Sequence, residues 1–196
     1  MRSPYSPFLR LKVVVCLILT LLAAAISGAA EVPFTLKDGD RVVFIGDRLI
    51  EGEQEAGWIE LMLTTQFPDR SITFRNLGWN GDTPAGESRL GLSLIQAGRE
   101  PPDEGWRQLV RQIEEAKPTV VFLGYGMASS FAGDAGLPAF RDQMNRLLDT
   151  LQRVTPGARV VLLAPLAHEA LGSPWPDPAA HNRQLEAYSQ ALAGIA

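Results

Sequence analysis

The chain of 196 residues, 46% hydrophobic and 20% charged, is sized for one domain with at most an appendage, and its composition excludes a disordered, collagenous or disulfide-stapled protein. Its formal charge of −4, with no basic stripe, excludes the phosphate-neutralising surface that nucleic-acid binding requires.

Arg2, Arg10 and Lys12 precede an uncharged run from Val13 to Ala30 that closes on Ser27-Gly28-Ala29-Ala30. This is the layout of a secretory signal peptide, so residues 1–30 are expected to be removed and residues 31–196 to form a secreted or periplasmic domain. The strongly apolar part is shorter than the ~20 residues of a membrane-spanning helix. The competing reading is an uncleaved N-terminal anchor, which would be the chain's one tie to a membrane. Cys16, the single cysteine, lies in this run, so the mature domain would have no thiolate, disulfide or Cys-ligated zinc. Residues 31–196 keep all 22 acidic residues against 15 basic ones, a net charge of −7.

After the turn Asp38-Gly39-Asp40, the run Arg41–Ile45 ends at Gly46 as a buried strand does. Trp58, Ile59, Leu61, Met62, Leu63 and Phe67 recur at helical spacing and stop at Pro68. Ile72–Asn76 is a second strand, Ser88–Gln96 a modest helix, and Trp106–Lys117 an amphipathic helix ended by Pro118. Thr119–Leu123 is a third strand. Pro138 opens a helix whose inner face is Phe140, Met144, Leu147, Leu148 and Leu151, closed by Pro156-Gly157. Arg159–Ala164 is a fourth strand, Leu166–Pro178 a loop, and a last helix starts near Ala179. Strands alternating with helices predict a three-layer α/β/α domain with a parallel sheet, whose ligands bind beyond the carboxyl ends of the strands. No strand is expected after the last helix, where the alternation would place a fifth.

Three of the strand-end loops carry glycine and small polar residues: Gly46-Asp47-Arg48, Gly78-Trp79-Asn80-Gly81-Asp82-Thr83, and Gly124-Tyr125-Gly126-Met127-Ala128-Ser129-Ser130. On strand-Gly-Asp, Asn-Gly-Asp-Thr and strand-Gly in this order, residues from about 40 to 190 resemble the SGNH/GDSL hydrolase superfamily. The resemblance implies a flavodoxin-like sheet and an exported hydrolase for ester bonds of lipid, acyl or acetylated-carbohydrate substrates. It also implies a nucleophilic serine after Gly-Asp, an oxyanion site of a glycine N–H and an asparagine amide, and an Asp-x-x-His segment after a fifth strand.

Several positions depart from that pattern. The serine position holds Arg48, a permanently charged guanidinium with no nucleophilic lone pair. Gly81 matches the oxyanion glycine, but the asparagine of the third loop falls on Ala128, and losing one such donor typically costs ~10²–10³ in rate. The expected activity is therefore weak or absent, and no catalytic residue is assigned. Arg48 has two readings: a surface pair with Glu51, or an anion clamp helped by the N–H groups of Gly81 and Gly126. Asp47 is read as holding loop backbone, and Asp82 and Thr83 as turn and cap residues before pocket residues.

His168 lies nearest the expected cleft but lacks a visible nucleophile. Asp177 and His181 are one residue too far apart for the family's dyad, so His181 is read as a surface or partly packed residue and Asp177 or Pro178 as a helix start. Ser129 and Ser130 are read as loop-solvating, Trp58, Trp79 and Trp106 as packing residues, and Trp175 as exposed. No metal-ligand spacing and no phosphate-binding glycine pattern occurs, so no metal or cofactor is expected. The alternatives are a non-catalytic pseudo-hydrolase module that holds an anionic or sugar ligand or a partner, and a domain shortened by its last strand.

Overall fold

In the computed structural model, residues 34–89, 94 and 96–196 are described. The expected signal segment 1–30 and the middle of the expected helix Ser88–Gln96 lie outside the described residues. Leu36–Ala196 forms one unit, built in chain order as follows.

Strand β1 (Arg41–Gly46) alternates its side chains between two cores. Val42 and Phe44 face Leu36 and Ile50, whereas Val43 and Ile45 face Leu109, Ile113, Met144 and Leu147. Helix α1 (Arg48–Ala56) follows immediately and ends at Gly57 in the left-handed conformation, φ 65°. It carries a single buried residue, Ile50, in an acidic stretch without an apolar stripe, which is why periodicity does not announce it. Helix α2 (Trp58–Gln66) shares Gly57 as its N-cap. Only Ile59 and Leu63, one turn apart, pack on the sheet, and Trp58 (63%), Leu61 (52%) and Met62 (60%) are solvent-exposed. Trp58 is therefore not the packing residue expected of it: the face of α2 that carries it points away from β1.

Strand β2 (Thr73–Asn76), helix α3 (Glu104–Ala116) and strand β3 (Val120–Gly124) come next. Two 3₁₀ turns, Ser129–Ala132 and Asp134–Gly136, lead into helix α4 (Leu137–Val154). Phe140, Met144, Leu147 and Leu151 of α4 are buried, and each such side chain contributes about 1.5–3 kcal/mol by leaving water. Strand β4 (Arg159–Leu162) and helix α5 (Ala179–Ala193) complete the unit. The sheet order is β2-β1-β3-β4, all parallel, with α1 and α2 on one face and α3, α4 and α5 on the other. This is the three-layer α/β/α architecture, and its crossover order brings β1 and β3 together at the centre.

Asp40 ties the amino ends of the strands, accepting hydrogen bonds from Lys37 N–H, the Thr119 hydroxyl and the Arg159 guanidinium. At the carboxyl ends, Gly46 pairs with Gly124 across the ladder, and a Cβ on Gly46 would lie 2.2 Å from the Gly124 carbonyl oxygen and 2.7 Å from Ile50. Backbone occupies the space a side chain would need. Gly46→Ala is expected to lower stability by about 3 kcal/mol, the upper end of overpacking costs, because neither strand can recede without opening the central ladder. Urea unfolding followed by circular dichroism checks this, and an unchanged midpoint would show that the two strand ends separate freely.

Candidate functional site at the carboxyl ends of the strands

The first loop is anchored by Asp47. Its N–H donates to Gly124 O at 3.0 Å, and its Oδ2 accepts from Gly126 N–H at 3.2 Å and Ala128 N–H at 3.0 Å. Burial pushes its carboxyl up from the usual range, against the pull of those N–H donors. The geometry corrects one part of the anion-clamp reading of Arg48: Gly126 N–H is spent on Asp47 and does not face a ligand. Arg48, at the start of α1, has a side chain 64% exposed and pairs with Glu51 one turn on.

The second loop is sewn to the first. Asn76 donates from Nδ2 to Ile50 O and accepts Gly78 N–H at Oδ1, and Trp79 N–H reaches Gly46 O at 2.9 Å. Gly78 is required by space, since its Cβ would lie 2.5 Å from Glu51 N. Asp82, fully buried, accepts Arg89 Nε at 2.9 Å and the Tyr125 hydroxyl at 3.1 Å on Oδ2, and Ser88 N–H at 3.3 Å on Oδ1. Arg89, only 2% exposed, spends its other nitrogens on Gln112 Oε1 and Leu77 O. Burial raises the Asp82 carboxyl while Arg89 pulls it down. Burial and the neighbouring Asp82 raise the Tyr125 hydroxyl, which remains a neutral donor. Asp82 is thus the centre of a buried ionic knot that spans β2, α3 and β3, a larger role than the turn residue expected. This knot leaves Asn80 and Gly81 (φ 72°) at the surface, where among the described residues neither the Asn80 amide nor Gly81 N–H has a partner within the protein.

The third loop turns through a 3₁₀ helix that buries Ser130. Its Oγ donates to Met127 O at 2.7 Å and lies 2.8 Å from Nε2 of His181, in the first turn of α5. The other ring nitrogen of His181, Nδ1, lies 2.9 Å from Nε2 of His168. The Phe131 ring stacks on His181 at 4.2 Å. Burial and the neighbouring His168 lower the pKa of His181 from its ordinary value, which favours the uncharged ring. Asn182 clamps His168 by its backbone, accepting its N–H at 2.8 Å and donating to its carbonyl at 2.9 Å. Asp177 is not part of this chain of contacts: its Oδ1 accepts Ala179 N–H at the start of α5.

Arg48, Asn80, Gly81, Ala128 and His168 border one open cavity of about 450 Å³, joined by Met127 and Phe131. Gly46, Asp47, Asp82 and Gly126 are buried and do not line it. Ser130 is not the loop-solvating residue expected, because its hydroxyl is buried and bonded. Ser129 Oγ is also buried, with no partner among the described residues. Ser130 and His181 were not legible as a pair, being 51 positions apart, and Arg89 gave no signal beyond being one arginine among many. Among the described residues, no three His, Cys, Asp or Glu side chains come together as a metal site.

The profile of the GDSL-like lipase/acylhydrolase family matches residues 44–196. Among curated proteins, none matches significantly. Among solved structures, a gut microbial diltiazem-metabolizing enzyme is similar at 18% identity and a TM-score of 0.54, over 85% of this chain and 37% of that one. The chain therefore spans little more than a third of that enzyme's length. A mutant of an acetyl-xylooligosaccharide esterase from Geobacillus Stearmophilus is similar at 16% identity and a TM-score of 0.54, over 83% of this chain and 74% of that one. The psychrotrophic esterase of a Pseudoalteromonas species, solved with monoethylphosphonate, follows at 16% identity and a TM-score of 0.50, over 80% and 73%. At these identities the likeness is one of fold.

The Asp82–Arg89 pair gives a quantitative test of how the loops are held. Arg89→Met leaves a buried carboxylate without its counter-charge, and breaking such a pair costs about 3–5 kcal/mol. Arg89→Met is expected to lose that amount in urea unfolding; a loss below about 1 kcal/mol would mean that water already reaches Asp82.

Proposed function

Since the chain belongs to the GDSL-like lipase/acylhydrolase family, matched over residues 44–196, we propose that its strand-end cavity binds small carboxylic esters, acetylated sugars among them, and hydrolyses them slowly without a serine nucleophile in the first loop. One observation carries this reading. Asn80 and Gly81 present donors without a partner among the described residues, in the same cavity as the Arg48 guanidinium, a setting suited to a carbonyl oxygen or an acyl carboxylate. The substrate class is taken from fold relatives, one of which is described as an acetyl-xylooligosaccharide esterase. The first step of a serine esterase is unavailable at position 48, where a guanidinium has neither a lone pair nor a removable proton.

Arg48 in the family's serine position and Ala128 in its asparagine position favour a second reading, a pseudo-hydrolase that binds an anionic or sugar ligand, or a partner, without turnover. Export belongs to the proposal and rests on the sequence of residues 1–30. N-terminal sequencing of the product recovered outside the cytoplasm is expected to start near residue 31; a membrane-bound product starting at Met1 would make the segment an anchor.

Three measurements test the reading together. An acetylated xylooligosaccharide at 100 times its Kd is expected to stabilise the fold by about 2.7 kcal/mol. Hydrolysis of p-nitrophenyl acetate is expected to be slow, and a fluorophosphonate to leave the intact mass unchanged. A stoichiometric adduct would reveal an activated serine and overturn the proposed mechanism. Stabilisation without turnover would establish the second reading, and neither stabilisation nor turnover would overturn both.

A further inference from the structure

The polarity of the hydrogen-bond chain behind the cavity is determined by its far end. Met127 O, 2.7 Å from Ser130 Oγ, can only accept, and we assign the single Ser130 hydroxyl proton to it rather than to the His181 ring. Ser130 Oγ then faces His181 as an acceptor, and the proton of the neutral His181 ring must sit on Nε2. Nδ1 of His181 is left bare and accepts from Nε2–H of His168. A neutral His168 with its proton on Nε2 carries its free lone pair on Nδ1, and this ring borders the cavity that holds Arg48, Asn80 and Gly81. Its backbone is meanwhile held at both N–H and carbonyl by the Asn182 amide. A surface histidine kept for solubility has no need of a buried serine, a second histidine and an asparagine clamp.

We propose that His168 is the general base of this site, drawing a proton from a water molecule that attacks the ester carbonyl directly, with His181, Ser130 and Asn182 as its positioning residues. The inference rests on the ester-binding reading above and supplies the catalytic group that reading lacks. In the first step, one O–H bond of water breaks, its proton goes to His168 Nδ1, and the water oxygen bonds to the carbonyl carbon. The resulting oxyanion is met by the unpartnered donors of Asn80 and Gly81. In the second step, the bond between carbonyl carbon and alkoxy oxygen breaks, and the proton on His168 moves to the departing oxygen. The products are a carboxylic acid and an alcohol, and His168 is restored. His181 contributes because its bare Nδ1 keeps accepting Nε2–H while His168 is an imidazolium, as the orienting group of a catalytic histidine does. The titratable or charged side chains that the contacts and the cavity bring to His168 are His181 on α5 and Arg48 on α1.

The test uses the purified protein and three variants, His168→Gln, Ser130→Ala and Asn182→Ala, each first checked for an unchanged circular dichroism spectrum. With p-nitrophenyl acetate, His168→Gln is expected to lower kcat by about 10² or more, with KM nearly unchanged, the share a general base typically supplies. His168 is exposed, so this variant is not expected to unfold. Ser130→Ala is expected to lower kcat less and to move the acid limb of the pH profile of kcat to lower pH. The reason is that a His181 ring without its serine acceptor can place its proton on Nδ1 and cease to support the imidazolium. Asn182→Ala is expected to lower kcat without moving that limb.

Equal kcat in the wild type and His168→Gln would overturn the inference, as would a fluorophosphonate adduct on any serine. Stabilisation of the wild type by acetylated xylooligosaccharide without turnover would overturn the inference and leave ester binding standing. Neither stabilisation nor turnover would overturn both.

Discussion

Two strand ends meet at the centre of this domain with only backbone between them, and the rest of the site is arranged around that contact. Gly46 and Gly124 stand opposite each other in the ladder, too close for a side chain on Gly46, and Ile50 packs over both. With β1 and β3 brought so near, the loops that leave them are within hydrogen-bond reach. Asp47 uses that proximity, holding the third loop by two N–H groups while its own N–H holds Gly124. The same bonds explain why a buried carboxylate persists there: each donated N–H offsets part of the burial that raises its pKa.

The second loop is controlled by a different physical device. An Asp–Arg pair removed from water is costly unless every lone pair and proton is satisfied, and here Arg89, Tyr125, Ser88, Gln112 and Leu77 supply the partners. Its effect is positional. The pair draws residues 77–82 down against α3 and β3, and the turn that results, with Gly81 at φ 72°, lifts Asn80 and Gly81 to the cavity wall with their donors unused. Polar groups are satisfied below, and among the described residues the Asn80 and Gly81 donors are left open above.

The other wall combines side chains from the loops after β1, β3 and β4. The first strand-end loop carries Arg48 and the third Ala128, neither of which offers a hydroxyl or an amide side chain. Against these stands the contact chain Met127–Ser130–His181–His168, assembled from the loop after β3, the start of α5 and the loop after β4. The Phe131 ring stacks on His181, whose partial burial favours the uncharged form. A neutral His181 lets the chain hold one sense of hydrogen bonding from Met127 to the cavity, which a charged ring could not do.

Much of the architecture was legible from local pattern. The β-branched runs at 41–45, 119–123 and 159–164 report strands by being continuous and apolar, as strands covered on both faces are, and the stripe Phe140–Met144–Leu147–Leu151 reports a helix through its 3.6-residue period. The order Gly-Asp, Asn-Gly-Asp-Thr, strand-Gly gave the family and the end of the sheet where the site lies. Helix α1 escaped because a single buried isoleucine makes no period, and the outward face of α2 escaped because periodicity shows that a helix has an apolar side without showing how much of it is covered. The polar contacts of the candidate site escaped for a related reason. Ser130 and His181 are single residues in unremarkable local sequence, His168 is placed near the cleft but without its partners, and Asp82 and Arg89 look like a turn residue and a surface charge. The sequence by itself determined the alternation and the family, since these depend on spacing and identity. Which polar side chains face one another was decided only by the tertiary structure, because a hydrogen bond between residues 51 positions apart depends on how three loops are packed over two glycine strand ends.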